Sequence, residues 1–160
     1  MRQLNFLQLM RVYEDGNIEN GREYYPELSE AEQLCNAEQD FYHYLNSVFF
    51  LQKNSYYAIL ESNGQYVSAL RLEPYQDGLL LCALETAPTA RKSGYATLLI
   101  SEVLTYLSKF GSGRIYSHVS KNNMSSLHVH KKCGFQIIQD HAVYSDGSVS
   151  HSSCTLVVKY

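Results

Sequence analysis

The sequence predicts a mixed α+β fold in which a largely antiparallel central sheet is flanked by helices. Three observations predict it: a capped amphipathic run before residue 52, two β-prone runs joined by Asn63-Gly64, and an alternation of strand and helix patterns from there to the end. With 160 residues and 45% hydrophobic content, the chain is long enough to bury one core and short for two. One domain spanning 1–160 is expected.

Ser29-Glu30-Ala31-Glu32 has the form of a capping box, after which Leu34, Ala37, Phe41, Leu45, Val48 and Phe49 recur at helical spacing, giving a helix over 29–51. In YYAILESNGQYVSALRLEPY, the Asn63-Gly64 pair has the chemistry of a two-residue hairpin turn. Asp77-Gly78 marks a further turn, and the apolar run LLLCALET fits a central strand covered on both faces. From Tyr95, the positions Leu99, Ile100, Val103, Leu104 and Leu107 share one helical face, with Gly111 placed to end the helix. Arg114 to Val119 forms a short strand, and Asn123 caps a helix ending near Gly134. Phe135 to Tyr144 forms a strand, and Asp146-Gly147 turns the chain into a closing strand over Thr155 to Tyr160.

Composition excludes several functions. The formal charge is −3 and no Lys/Arg block is present, so the footprint of a nucleic-acid binder is missing. Cys35, Cys82, Cys133 and Cys154 lie far apart without a C-x-x-C pair, which suggests neither a metal site nor a disulfide framework and fits a reduced, cytoplasmic setting. No apolar run is long enough to span a bilayer, so no membrane partner is expected.

The richest stretch is RKSGYATLLISEVLTYL, residues 91–107. The first amides of a helix have no intrahelical partners and, with the helix dipole, form an anion site. Lys92, Ser93, Gly94 and Ala96 let a bulky anion reach them, and Arg91 and Lys92 add positive charge. The alternative is that Gly94 merely makes a tight strand-to-helix turn. Neither G-x-x-x-x-G-K-[ST] nor G-x-G-x-x-G is present, which argues against a nucleotide triphosphatase or a dehydrogenase.

Arg91-Lys92-Ser93-Gly94-Tyr95-Ala96, preceded by Thr86-Ala87-Pro88, resembles the [QR]-x-x-G-x-[GA] signature of the GNAT superfamily of acetyl-CoA-dependent N-acyltransferases. NNMSSLHVHKKCGF resembles that family's later helix segment, and the two lie in the family's order. The likeness is close over 79–137 and rests on element order elsewhere. It implies that the amides of Lys92, Ser93, Gly94, Tyr95, Ala96 and Thr97 cradle the pyrophosphate of coenzyme A. It also implies that the pantetheine arm runs along Leu84, Glu85 and Thr86, whose amides can hold the thioester carbonyl, and that Asn123 and Ser126 meet that arm. As a plain N-cap, Asn123 needs no ligand. The resemblance further implies acetyl-CoA as co-substrate without a metal, an amine acceptor, and a monomer or homodimer.

Acetylating an amine requires removal of a proton from the ammonium and supply of one to the leaving thiolate. Where many family members have a tyrosine acid, this chain has His130, which either donates that proton or packs structurally. On RIYSHVS, His118 alternates away from Ile115 and Val119 and matches the family position of a glutamate base, making it the first choice for base, with a satisfied structural histidine as the alternative. Glu85 is the second: in so apolar a strand a carboxylate needs a partner or a raised pKa, and it either serves as base, holds the amine by charge, or forms a structural ion pair. Cys133 reads as a structural thiol, so direct attack is expected. In this architecture the substrate loops would be Val12 to Glu27, with Glu14, Asp15, Glu19, Glu23 and Glu27, and the hairpin Tyr144 to Ser153; the acidic set either favours a cationic amine or is solvated surface. The missing tyrosine motivates a second function, a coenzyme A-binding regulatory module without transferase activity, and a third is that the loop takes another phosphorylated ligand.

Overall fold

The computed structural model describes residues 5–13 and 26–160. Helix α1 (Phe6–Val12) starts where the Asn5 side chain accepts from the Gln8 amide at 3.0 Å. Helix α2 (Glu30–Ser47) carries the expected capping box, with Ser29 and Glu32 satisfying one another's amides. The helix is shorter than the expected 29–51, because Val48 leaves helical geometry and Phe49–Leu51 form a separate 3₁₀ turn. That break buries Phe49 but leaves Val48 exposed, against its helical spacing.

Strands β1 (Tyr56–Ser62), β2 (Gln65–Tyr75), β3 (Gly78–Thr86) and β4 (Arg114–Ser120) follow, with helix α3 (Tyr95–Ser108) between the last two. The β1–β2 turn has Asn63 at φ 52° and Gly64 at φ 75°, the two positive angles its residues predicted. At the next turn Gln76 takes the positive φ, and Gly78 already opens β3. A Cβ at Gly78 would lie 2.2 Å from the Arg114 carbonyl oxygen, so this glycine is required by close approach of β4.

After β4 come helix α4 (Met124–Lys132), β5 (Gln136–Gln139), the short pair β6 (Ala142–Val143) and β7 (Val149–Ser150), and β8 (Ser153–Lys159). Helix α4 ends as its Gly-Phe predicted: Gly134 sits at φ 88°, its amide donates to Lys131 and the Phe135 amide donates to His130, a Schellman pair. The single strand expected over Phe135–Tyr144 is instead two. Beyond Gln139 the chain leaves the main sheet, and β6 pairs only with β7.

The main sheet has the order β1-β2-β3-β4-β8-β5, with β3 and β4 the one parallel pair. One face carries α3 and α4 over a core of Leu70, Leu81, Ile100, Ile115, Leu127 and Leu156. The other carries α1 and the 3₁₀ turn over Leu9, Val12, Leu45, Phe49 and Ala69. Strand β3 is central, but only Leu80 and Leu81 are fully buried, while Ala83 and Glu85 are exposed. The expectation of complete two-face cover fails at Ala83 and Glu85, which are exposed, while Leu84 between them still packs against the α3–α4 core. Most of the acidic segment from Val12 to Glu27 lies outside the described residues.

Candidate active site

The sheet opens where its two central strands part. The parallel ladder of β3 and β4 runs from Leu79–Ile115 to Leu81–Ser117 and ends there. Strand β3 continues beside β2 to Thr86, and β4 beside β8 to Ser120, so each keeps its outer partner and loses the inner one. The result is a wedge between Cys82–Thr86 and His118–Ser120. A bulge marks the opening: Arg71 pairs with Cys82 and Ala69 with Glu85, so Leu70 alone opposes Ala83 and Leu84, and Ala83 takes φ 47°.

The chain then makes a 3₁₀ turn at Pro88–Ala90, and the Arg91 Nε donates to the Thr86 carbonyl at 3.2 Å. Lys92 at φ 64° and Gly94 at φ 82° bend it into α3. The first intrahelical bond runs from the Leu98 amide to Gly94, which leaves the preceding amides of Tyr95, Ala96 and Thr97 ahead of the ladder. Gly94, the N-cap, brings no side chain to cover them, and a Cβ placed there would meet nothing within 4 Å. The Tyr95 ring points back to the sheet, its hydroxyl 3.5 Å from Ser62 Oγ, so Tyr95 offers the cradle its amide and not its ring. The residues fit an anion the size of a pyrophosphate at this helix start.

Helix α4 stands beside it. The Asn123 side chain accepts from the Ser126 amide at 3.0 Å, the plain N-cap role, and Cys133 Sγ lies 3.7 Å from the Thr97 carbonyl, joining α4 to α3. Burial pushes the Cys133 thiol up, as suits a packed rather than a reactive cysteine. His130 is 1% exposed, edge-on to Phe135. Its Nδ1 lies 2.8 Å from the Ser126 carbonyl and must donate to it, so in the neutral ring Nε2 carries the lone pair. That Nε2 is buried without a protein partner among the described residues. Burial holds the imidazole below its ordinary pKa, partly offset by the Ser126 bond.

His118 sits on the opposite face. Its Nε2 donates to the Val143 carbonyl at 3.1 Å, while its Nδ1 faces Thr155 Oγ1 at 3.1 Å, whose one hydrogen goes to the His141 carbonyl at 2.7 Å. The ring stands edge-on to Tyr75 and Tyr144, each at 5.3 Å. The expectation that His118 faces away from apolar surface needs correction, because Tyr75, Leu80 and the buried Tyr116 make a second small core on that face. Burial lowers the His118 pKa, with the Val143 bond acting the other way. A shallow groove lined by Pro74, Tyr75, Gln76, Val143, Tyr144 and Ser145 runs alongside.

Glu85 is exposed rather than enclosed by the strand, which removes the reason for expecting a raised pKa from burial. Leu84 packs toward α3 and α4, so by alternation Glu85 faces the α1 side, where its charge acts on the Tyr13 hydroxyl. That hydroxyl escaped the sequence reading altogether; the only signal was an unexplained count of 14 tyrosines.

A family model for the Acetyltransferase (GNAT) family matches residues 17–135. The chain belongs to the GNAT acetyltransferase family. Comparison with curated proteins returns no match. Among solved structures, this GNAT chain is similar to the PaiA N-acetyltransferase of Thermoplasma acidophilum in complex with coenzyme A, at 18% identity and TM-score 0.64 over 99% of this chain and 97% of that one. It is also similar to the ribosomal-protein-S18-alanine N-acetyltransferase of Escherichia coli, at 15% identity and TM-score 0.57 over 76% of each chain. A third likeness is to the Campylobacter jejuni N-acetyltransferase PseH in complex with acetyl coenzyme A, at 16% identity and TM-score 0.57 over 75% of this chain and 79% of that one. These identities speak for the shared GNAT fold, a six-stranded mixed sheet flanked by helices. Among the described residues no helix is long and apolar enough to cross a membrane.

Proposed function

We propose that this GNAT protein transfers the acetyl group of acetyl-CoA to a primary amine of a small molecule or peptide, by direct attack with both substrates bound. The observation that carries the reading is the uncovered start of α3, delivered by left-handed Lys92 and Gly94 to the mouth of the β3–β4 wedge. Arg91 to Thr97 hold the pyrophosphate, and Leu84, Glu85 and Thr86 run beside the pantetheine arm with Asn123 and Ser126 across from them. Amides of the bulged β3 segment stabilise the charge that develops on the thioester oxygen.

The acceptor amine enters from the α1 side, where Glu85 takes its proton, through a water where the distance requires one. This moves the base from His118 to Glu85. His118 is tied through Nε2 to the Val143 carbonyl and held between Tyr75 and Tyr144, so we read the ring as a brace of the β6–β7 hairpin. His130 can act as acid only as its imidazolium, which burial opposes. A thiolate whose parent thiol ionises near 8.5, as cysteine's does, needs no strong acid to leave.

Isothermal titration with acetyl-CoA, followed in the same preparation by thiol release against a panel of amines, tests the reading. Binding with amine-dependent release supports it. The unpartnered Nε2 of His130, in place of a phenol, favours the regulatory module as the second reading, and binding without release from any amine supports that one. No binding overturns both.

A further inference from the structure

We propose that Tyr13 is a positioning residue for acetyl transfer: its hydroxyl, itself held by Tyr57, pins the β3 bulge at Ala83 and so aims the backbone at the mouth of the wedge. This rests on reading the wedge as the acetyl site.

Ala83 is in the left-handed region at φ 47°, a conformation that alanine adopts only under constraint. Its own side chain is exposed, so packing of the methyl does not supply that constraint. The constraint comes through its carbonyl, which accepts a hydrogen bond from the Tyr13 hydroxyl at 3.0 Å, across 70 residues of sequence. The Tyr57 hydroxyl donates in turn to Tyr13 at 2.6 Å. Each phenol has one hydrogen, so the direction is fixed as Tyr57 to Tyr13 to Ala83, and each bond polarises the next.

The donors are rigid and permanent. The Tyr13 and Tyr57 rings both lean on Phe41, at 6.1 and 6.4 Å, and Phe49 meets Tyr57 at 5.8 Å. Burial raises both phenols, Tyr57 to about 12, so neither gives up its proton at physiological pH. The chain ends on a single carbonyl at the point where β3 leaves β4. A bulge there sets the direction of the peptides that follow, Leu84 to Thr86, which border the wedge.

Tyr13→Phe keeps the ring in its cage and removes the hydroxyl. The expected result is a fall in kcat of about tenfold, with KM for acetyl-CoA and calorimetric Kd for coenzyme A within about twofold. In the free protein, amide exchange over residues 83–86 should speed up about tenfold while that of Leu79 to Leu81 holds. Adding Tyr57→Phe to Tyr13→Phe should change kcat less than about twofold, because Tyr57 acts only through Tyr13.

Unchanged exchange over 83–86 in Tyr13→Phe would remove the pin, whatever the activity. Faster exchange with unchanged kcat would refute the positioning role, and losses that multiply in the double variant would refute the chain. Failure of the wild type to bind acetyl-CoA would overturn the proposed function and the catalytic half of this inference, and the exchange result would still decide the pin.

Discussion

Gly94 offers the sharpest test of the cradle, because two substitutions there share one cost and differ in another. At φ 82° any L side chain is strained, by roughly 1–2 kcal/mol relative to right-handed geometry. In a domain of this size that lowers Tm by roughly 2–8 °C, for Gly94→Ala and Gly94→Glu alike. Nothing lies within 4 Å of the added Cβ, so neither variant meets a clash at that atom, and the site assignment puts the pyrophosphate beside it. There Gly94→Ala adds only a methyl group. Gly94→Glu adds a carboxylate; at roughly 6 Å and an effective dielectric of about 20, its repulsion from one phosphate charge is about 3 kcal/mol, a hundredfold or more in Kd. The assay is thermal melting of both variants followed by calorimetric titration with coenzyme A, at low salt and again at high salt, where screening should narrow the gap. Equal coenzyme A affinities in folded Gly94→Ala and Gly94→Glu would refute the assignment of this helix start as the pyrophosphate site.

Glu85→Gln should lower kcat by about a hundredfold and remove the acidic limb of the pH–rate profile, leaving coenzyme A affinity in place; an unchanged profile would acquit Glu85. His118→Phe keeps the ring between Tyr75 and Tyr144 and loses the bond to Val143, so it should destabilise by about 1–2 kcal/mol in denaturant titration while the pH–rate limbs stay where they are. A lost limb would restore His118 as base. His118 and His130 are both held below their ordinary value of 6.5 in the folded chain, so the unfolded chain takes up protons first as pH falls. Stability should therefore be level above about pH 7 and decline through 6.5 toward the lower folded values, with a shallower decline in His130→Phe. Denaturant midpoints at pH 7.5 and 5.5 that shift equally in wild type and His130→Phe would show that His130 does not contribute.

The local chemistry was legible wherever the deciding groups lie within one turn of each other. The Ser29–Glu32 box, the Asn63-Gly64 turn, the Asn123 cap and the Gly134 stop all form between residues no more than about five apart, and each formed as expected. Gly94 belongs to the same class. Its positive φ and the amides behind it follow from a glycine placed just ahead of an apolar helical stripe.

Misreadings came where a pattern was continuous but the packing was not. The stretch from Phe135 to Tyr144 reads as one strand, yet β8 pairs with only its first half and the second half folds back as β6 against β7. LLLCALET reads as fully enclosed, yet Ala83 and Glu85 are exposed while Leu84 between them stays against the α3–α4 core. The helical spacing of Val48 was true to the sequence and false to the fold, since a 3₁₀ turn that buries Phe49 rotated Val48 into solvent.

The sequence by itself determined the order of elements, the caps and turns, and a helix start open to an anion, because backbone hydrogen bonds and φ preferences are settled by neighbours in the chain. The tertiary structure decided which side chains share the wedge. It brought the Val143 carbonyl to His118 Nε2, and it set the Tyr13 hydroxyl on the carbonyl of Ala83. Those contacts follow from sheet order and from how α1 packs against it. Both are minimised over the whole core, and no local stretch of sequence encodes them.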